Sequence, residues 1–101
     1  MKEITAKELH QKLEDGEKLF LVDVREPYEH DEFDIGGINI PLAEIPLNIQ
    51  SLKEIGDVDI VLYCRSGNRS GMAQRLLALQ FGIQNTINLQ GGMVSWQKLD
   101  Q

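Results

Sequence analysis

The sequence predicts an α/β fold in which helices cover both faces of a parallel sheet. Apolar segments of strand length alternate with segments of helical periodicity, as they do in βαβ units. Residues 19–24 and 60–63 are largely apolar without alternation, which is typical of strands that are buried on both faces. Glycine and proline punctuate the boundaries between these segments.

The first half of the chain is predicted to contain two strands and three helical segments. Thr5 and Glu8 fit a capping box for a first helix that runs to about residue 14 and stops at Gly16. The remaining predicted elements are a strand at 19–24, one or two helical turns at 28–34, a short strand at 38–40 and a helix at 42–55. Pro46 is compatible with the last of these only in its first turn.

The second half begins with the strand at 60–63, and a helix follows it to Phe81. Gly82 is the expected C-cap of that helix, and residues 86–89 form a further strand. Gly91 and Gly92 open a last short helix, in which Met93 and Trp96 are expected to be core residues.

Length and composition predict one soluble domain over residues 1–101. The apolar fraction is 42% and the charged fraction 26%, both ordinary for a globular protein. The net charge of −6 argues against nucleic acid as a partner. Because there is no apolar segment of signal-peptide or membrane-spanning length, we expect no membrane association and a cytoplasmic location.

The chain contains one cysteine, Cys64. This number excludes an internal disulfide, a resolving cysteine within the chain and a cysteine-rich metal site. We therefore predict no metal and no cofactor. A free reactive thiol is suited to a reducing cytoplasm.

Cys64 ends a predicted strand, and a short polar loop separates it from a helix. Helix N-termini have unpaired backbone N–H groups, and loop amides can converge on an anion. At such a position a thiolate is favoured over a thiol, which predicts that Cys64 is a nucleophile. The candidate binding residues are those that follow it: Arg65, Ser66, Gly67, Asn68, Arg69 and Ser70.

Each loop residue also has a structural interpretation. Arg65 and Arg69 either bind an anionic substrate or form surface salt bridges. Ser66, Asn68 and Ser70 either donate to the bound sulfur or cap a helix that is expected to begin near Ser70. Gly67 is predicted to supply a backbone conformation or a close approach that a side chain would prevent.

Other polar residues are assigned structural or solvated positions. Asp23 and Arg25 are interpreted as an ion pair or loop anchor, because a carboxylate directed at the thiol would raise its pKa. His10 and His30 are both predicted to be solvated, and the sequence places neither near Cys64.

Four segments together resemble the rhodanese (thiosulfate sulfurtransferase) domain family in its single-domain form. They are Asp-Val-Arg-Glu at 23–26, Gly-Ile-Asn-Ile-Pro at 37–41, the loop at 63–70, and Gly-Gly-Met at 91–93 with Trp96. The loop and its spacing are the most specific of these. The chain departs from the family at 33–38, which lack the histidine and proline often found there.

The resemblance implies a three-layer α/β fold with a parallel five-stranded sheet, and a ping-pong transfer of sulfur. Cys64 would take sulfane sulfur from thiosulfate or another small-molecule donor as a persulfide. A thiol, cyanide or a sulfur-accepting protein would then remove it. The amides of the loop could stabilise the persulfide anion.

Three other functions remain open. One is a non-catalytic rhodanese-fold module that binds a partner or relays sulfur. A second is a Cys-based phosphatase or arsenate reductase, although those enzymes place five residues between cysteine and arginine, whereas four separate Cys64 from Arg69. A third is a redox sensor, which usually needs a resolving cysteine.

Overall fold

Five parallel strands form one sheet in the computed structural model, which describes residues 1–100. Gln101, the last residue of the predicted domain, lies outside the described residues. The strands are β1 (Glu3–Ile4), β2 (Phe20–Asp23), β3 (Ile38–Asn39), β4 (Ile60–Tyr63) and β5 (Thr86–Leu89). They are arranged in the order β1-β5-β4-β2-β3, so that β4 occupies the middle of the sheet.

Helices connect the strands, as parallel pairing requires. They are α1 (Ala6–Glu14), α2 (Pro27–Glu32), α3 (Ile49–Glu54), α4 (Asn68–Phe81) and α5 (Gly92–Gln97), with 3-10 helices at Leu42–Asn48 and Lys98–Asp100. The capping box of α1 is present, with Thr5 and Glu8 in reciprocal hydrogen bonds. Gly82 ends α4 in the left-handed conformation, as predicted.

The two faces of the sheet have separate apolar cores, which confirms the three-layer α/β prediction. On one face, Leu9 of α1 and Met93 of α5 pack against residues such as Val61 and Tyr63. The opposite core contains residues of α3, α4 and the first 3-10 helix. Alternate residues of β4 enter alternate cores, so this strand is buried over its whole length.

Three sequence expectations about elements are corrected. The edge strand β1 was not predicted from the residues, although five strands were implied by the family resemblance. The helix expected over 42–55 is divided into a 3-10 helix that contains Pro46 and the α-helix α3, since proline lacks the N–H that an α-helix interior needs. Helix α4 begins at Asn68 rather than near Ser70.

Within residues 1–100, no helix combines the length and the apolar composition needed to cross a membrane.

Candidate functional site

The sheet places Cys64 directly after its central strand. Tyr63 pairs in register with Asp23 on β2, and Leu62 pairs with Asn88 on β5. The residue after β4 is therefore flanked by the carboxyl ends of two parallel strands. This edge is where ligands bind in open α/β sheets.

Backbone N–H groups surround the sulfur of Cys64. The amide of Gly67 donates to Sγ at 3.1 Å and that of Ser70 at 3.4 Å. Burial raises the pKa of the Cys64 thiol, but hydrogen bonds from the Ser70 side chain and from the amides of Ser70, Gly67 and Ser66 outweigh it. The pKa of Cys64 consequently lies below its ordinary value, although the residue is only 1% exposed.

Gly67 makes this convergence possible. Its φ of +101° lies in the left-handed region, and it is the N-cap of α4. The chain therefore turns sharply between Cys64 and the helix, so that the N-cap amide and the amide of Ser70 in the first turn of α4 face the sulfur. The prediction of a special backbone conformation at Gly67 is confirmed.

The loop serines and Asn68 do not cap α4, since its N-cap is a glycine without a side-chain hydrogen bond. That alternative for Ser66, Asn68 and Ser70 is wrong. Ser66 and Asn68 are exposed, whereas Ser70 is buried with its Oγ 3.4 Å from Cys64 Sγ.

Asn88 on β5 contacts the loop at two points, Gly67 and Ser70, and the sequence analysis missed it. Its Oδ1 accepts the hydroxyl proton of Ser70, and its Nδ2 donates to the carbonyl oxygen of Gly67 at 3.2 Å. A hydroxyl has a single proton, so while Ser70 donates to Asn88 it can only accept from the Cys64 thiol. When Cys64 is ionised, the same proton is free to turn toward Sγ.

The N-terminus of α5 holds the other side of the loop. Met93 donates its N–H to the Cys64 carbonyl oxygen at 2.9 Å, and Val94 donates to that of Arg65 at 3.0 Å. A Cβ on Gly92 would overlap the Cys64 carbonyl oxygen, so this approach requires glycine. Met93 is buried as predicted, and Trp96 packs partly buried against the same core.

The Arg65 side chain is exposed and lines a cleft of about 230 Å³ beside the loop. The other lining residues are Arg25, Glu29, Glu32, Phe33, Met93, Val94 and Gln97. Charged groups of both signs therefore face the cleft.

Arg69 forms a two-point ion pair with Glu29 of α2. Its Nη1 lies 2.7 Å from Oε1 and its Nη2 3.1 Å from Oε2. This hydrogen bonding holds the pKa of Glu29 at about 2. It also raises the pKa of Arg69, to which the charge of nearby Cys64 contributes further. Of the two interpretations of Arg69, the salt bridge is present, with a carboxylate that the sequence analysis did not identify.

Asp23, at the end of β2, is fully buried and carries the predicted ion pair. Arg25 donates to its carboxylate from Nη2 at 2.8 Å and from Nε. His30 also contacts this carboxylate, with its Nδ1 2.9 Å from Oδ2. The prediction that His30 is solvated is therefore wrong. The reason is that α2 folds over the end of β2 and brings His30 to Asp23. His10, in contrast, is exposed as predicted and lies beside Trp96.

Asn88 had a weak sequence signal that could have been read. It is a polar residue near the carboxyl end of a predicted strand, at the sheet edge where Cys64 lies. Glu29 had none, because it lies 40 residues from Arg69 in a segment rich in charge.

Comparisons with known proteins agree with the geometry of the fold. The family model described as "Rhodanese-like domain" matches residues 5–99. A sulfurtransferase of Allochromatium vinosum is 37% identical over 97 residues, which span 95% of this chain and 88% of the relative. YrkF, a proposed sulfur carrier protein of Bacillus subtilis, is 37% identical over 95 residues, which span 93% of this chain and 50% of the relative.

Among solved structures, a thiosulfate sulfurtransferase from Pseudomonas aeruginosa matches with a TM-score of 0.85 at 25% identity. The match covers 100% of this chain and 19% of that one. This chain thus corresponds to one part of that larger protein.

Proposed function

The chain belongs to the rhodanese-like domain family, and from that premise we propose that it is a sulfurtransferase that carries sulfane sulfur as a persulfide on Cys64. The observation that carries the proposal is the convergence of backbone N–H groups from Ser66, Gly67 and Ser70 on one sulfur atom. A fixed set of donors around an atom that becomes anionic stabilises that anion without reorganisation.

In the first half-reaction, the Cys64 thiolate attacks the outer sulfur of the donor. With thiosulfate, a bond forms between Cys64 Sγ and that sulfur while the sulfur–sulfur bond of the donor breaks. The electron pair leaves with sulfite, and the total charge is unchanged. Cys64 is left as a persulfide whose negative charge lies on the outer sulfur, one bond from the Sγ that the amides of Gly67 and Ser70 contact.

In the second half-reaction, a nucleophilic acceptor attacks the outer sulfur of the persulfide. Cyanide would leave as thiocyanate, and a thiolate would leave as a new persulfide. In either case the electron pair of the broken bond returns to Cys64 Sγ. Neither half-reaction needs a metal or a cofactor, since the sulfur is transferred without net oxidation. The free thiol required between cycles is suited to the cytoplasm.

Steady-state formation of thiocyanate from thiosulfate and cyanide tests the proposal. Wild type is expected to turn over, and Cys64→Ser to lose activity to the uncatalysed rate. A thermal melt within a few degrees of wild type would show that the variant is folded, since one buried sulfur is exchanged for oxygen. Undiminished activity of folded Cys64→Ser would overturn the proposal.

A second candidate is a sulfur carrier that delivers to one partner protein without rapid turnover. The burial of Cys64 agrees with slow turnover, because this residue is only 1% exposed and a free donor must first reach its Sγ. The name of the Bacillus subtilis relative agrees with this candidate. Stoichiometric loading of Cys64 without thiocyanate turnover would support the carrier over the enzyme.

The phosphatase or arsenate reductase alternative is weaker. Four residues separate Cys64 from Arg69, and that arginine is already bound by Glu29. Hydrolysis of a phosphate ester by wild type and not by Cys64→Ser would support it.

A further inference from the structure

The ion pair between Arg69 and Glu29 bears on which sulfur donor the site accepts. Arg69 is in the first turn of α4, five residues after Cys64, and its guanidinium is in electrostatic range of the sulfur. An unpaired arginine at this position would attract an anionic donor. Here both of its terminal nitrogens are bound by one carboxylate.

Glu29 is a persistent occupant of this position. Its side chain is 15% exposed, and its pKa of about 2 keeps it ionised at any physiological pH. A second hydrogen bond also holds the Glu29 side chain, because its Oε1 accepts from the backbone N–H of Glu26 at 3.0 Å in a capping box. A dianion that approaches Arg69 therefore meets a carboxylate already in place.

Other acidic residues near the ion pair also disfavour the approach of a dianionic donor. Helix α2 has two further acidic residues, Asp31 and Glu32, and Asp34 follows it. The chain as a whole has a net charge of −6. Attack on thiosulfate brings three negative charges together, the thiolate and the two of the donor. Attack on an organic persulfide anion brings only two.

We propose that Glu29 determines donor specificity by neutralising Arg69, so that the site favours an organic persulfide over dianionic thiosulfate. This inference rests on the proposed function and names the donor class for the same site. The Cys64 thiolate attacks the outer sulfur of the persulfide, the sulfur–sulfur bond of the donor breaks, and the donor leaves as a thiolate with the electron pair. Glu29 contacts neither reacting atom and acts through Arg69.

The test is the rate of Cys64 loading at increasing donor concentration, followed by acid quench and intact mass. The two donors are thiosulfate and the persulfide of 2-mercaptoethanol. Glu29→Gln keeps an oxygen for the Glu26 amide but removes the charge that binds Arg69. It is expected to raise the second-order loading constant for thiosulfate about three- to fivefold, the effect of one partly exposed ion pair. The constant for the persulfide should change less than twofold.

Two variants separate release of Arg69 from a general change of charge. Asp31→Asn removes the same charge from an exposed position of the same helix, where no ion pair is found among the described residues. It should leave both constants within about twofold of wild type. The double variant Glu29→Gln/Arg69→Ala should lose the gain for thiosulfate, because the freed guanidinium is then absent.

Several results would overturn the inference. An equal gain for both donors with Glu29→Gln, an equal gain with Asp31→Asn, or a gain that survives in the double variant would each show that Glu29 does not act through Arg69. If Cys64 of wild type gains no sulfur from either donor, the proposed function itself fails and the inference fails with it. Loading by both donors without a selective change in Glu29→Gln overturns the inference alone.

Discussion

Replacing Ser70 with alanine should raise the pKa of the Cys64 thiol and so lower the fraction of thiolate at neutral pH. Ser70 Oγ lies 3.4 Å from Sγ, and its hydroxyl is one of the groups that lower this pKa. The backbone N–H of residue 70 would remain in the variant. Only the hydroxyl contribution is therefore removed.

The magnitude follows from the two protonation states. A hydrogen bond to a charged group contributes about 1.5–3 kcal/mol and one between neutral groups about 0.5–1.5 kcal/mol, a difference of about 1 kcal/mol. A difference of about 1 kcal/mol changes the thiolate fraction roughly fivefold, since about 1.4 kcal/mol is a factor of ten. The shift is limited because Ser70 must release Asn88 Oδ1 before its proton can reach the thiolate.

Alkylation by iodoacetamide over a pH series measures this pKa, since the thiolate is the reacting form. Iodoacetamide is neutral, so the charges around the loop do not bias its approach. The rate profile of Ser70→Ala should move to higher pH, with a rate about fivefold lower at any pH below both pKa values. Ser66→Ala is the matched control, because Ser66 contacts Sγ through its backbone N–H. An unchanged or lowered pKa in Ser70→Ala would show that the Ser70 hydroxyl does not stabilise the Cys64 thiolate.

Two further predictions concern stability. Asp23→Asn should lower the free energy of unfolding, measured by urea denaturation, by about 3 kcal/mol. The reason is that Arg25, which is only 7% exposed, would lose the carboxylate that pairs with its guanidinium. A loss below about 1 kcal/mol would show that this ion pair contributes little to stability. Glu29 has a folded pKa of about 2, below its ordinary 4.5, so its ion pair stabilises the fold fully above about pH 4.5 and is lost as pH falls through about 2. Glu29→Gln should accordingly be less stable than wild type by about 1 kcal/mol at pH 7, and the difference should disappear as pH falls below about 2. A difference that does not change with pH would exclude the ion pair as its source.

The sequence pattern was sufficient to predict those elements whose boundaries depend only on their own residues. The strands β4 and β5 have the predicted bounds. The continuous apolar segment of β4 is stable only between two covered faces, whereas residues 86–89 alternate polar and apolar side chains with the period of a strand. The first helix was equally accessible, since its capping box is contained within Thr5 and Glu8. The two-residue strand β1 could not be predicted from its own residues, because it is defined by its pairing with β5. In one such contact the backbone N–H of Asn88 donates to the carbonyl oxygen of Lys2.

The sequence was sufficient to predict the loop around Cys64, but not the residues of other elements that contact this loop. Cys64, Gly67 and the amides of the loop are adjacent in sequence, so strand, turn and helix signals locate them. The partners of that loop come from other elements: Asn88 from β5, Glu29 from α2. Their contacts depend on strand order and on the position of α2, which no local pattern specifies. His30 was mispredicted for the same reason.

The most direct test of the proposed function is to find which residue carries the transferred sulfur atom. Wild-type protein is incubated with thiosulfate or an organic persulfide, and its intact mass is measured before and after excess cyanide. We predict a gain of one sulfur atom that maps to the Cys64 peptide, is blocked by prior alkylation, and is lost to cyanide with an equal amount of thiocyanate. No gain from either donor, with Cys64 still open to alkylation, would contradict it.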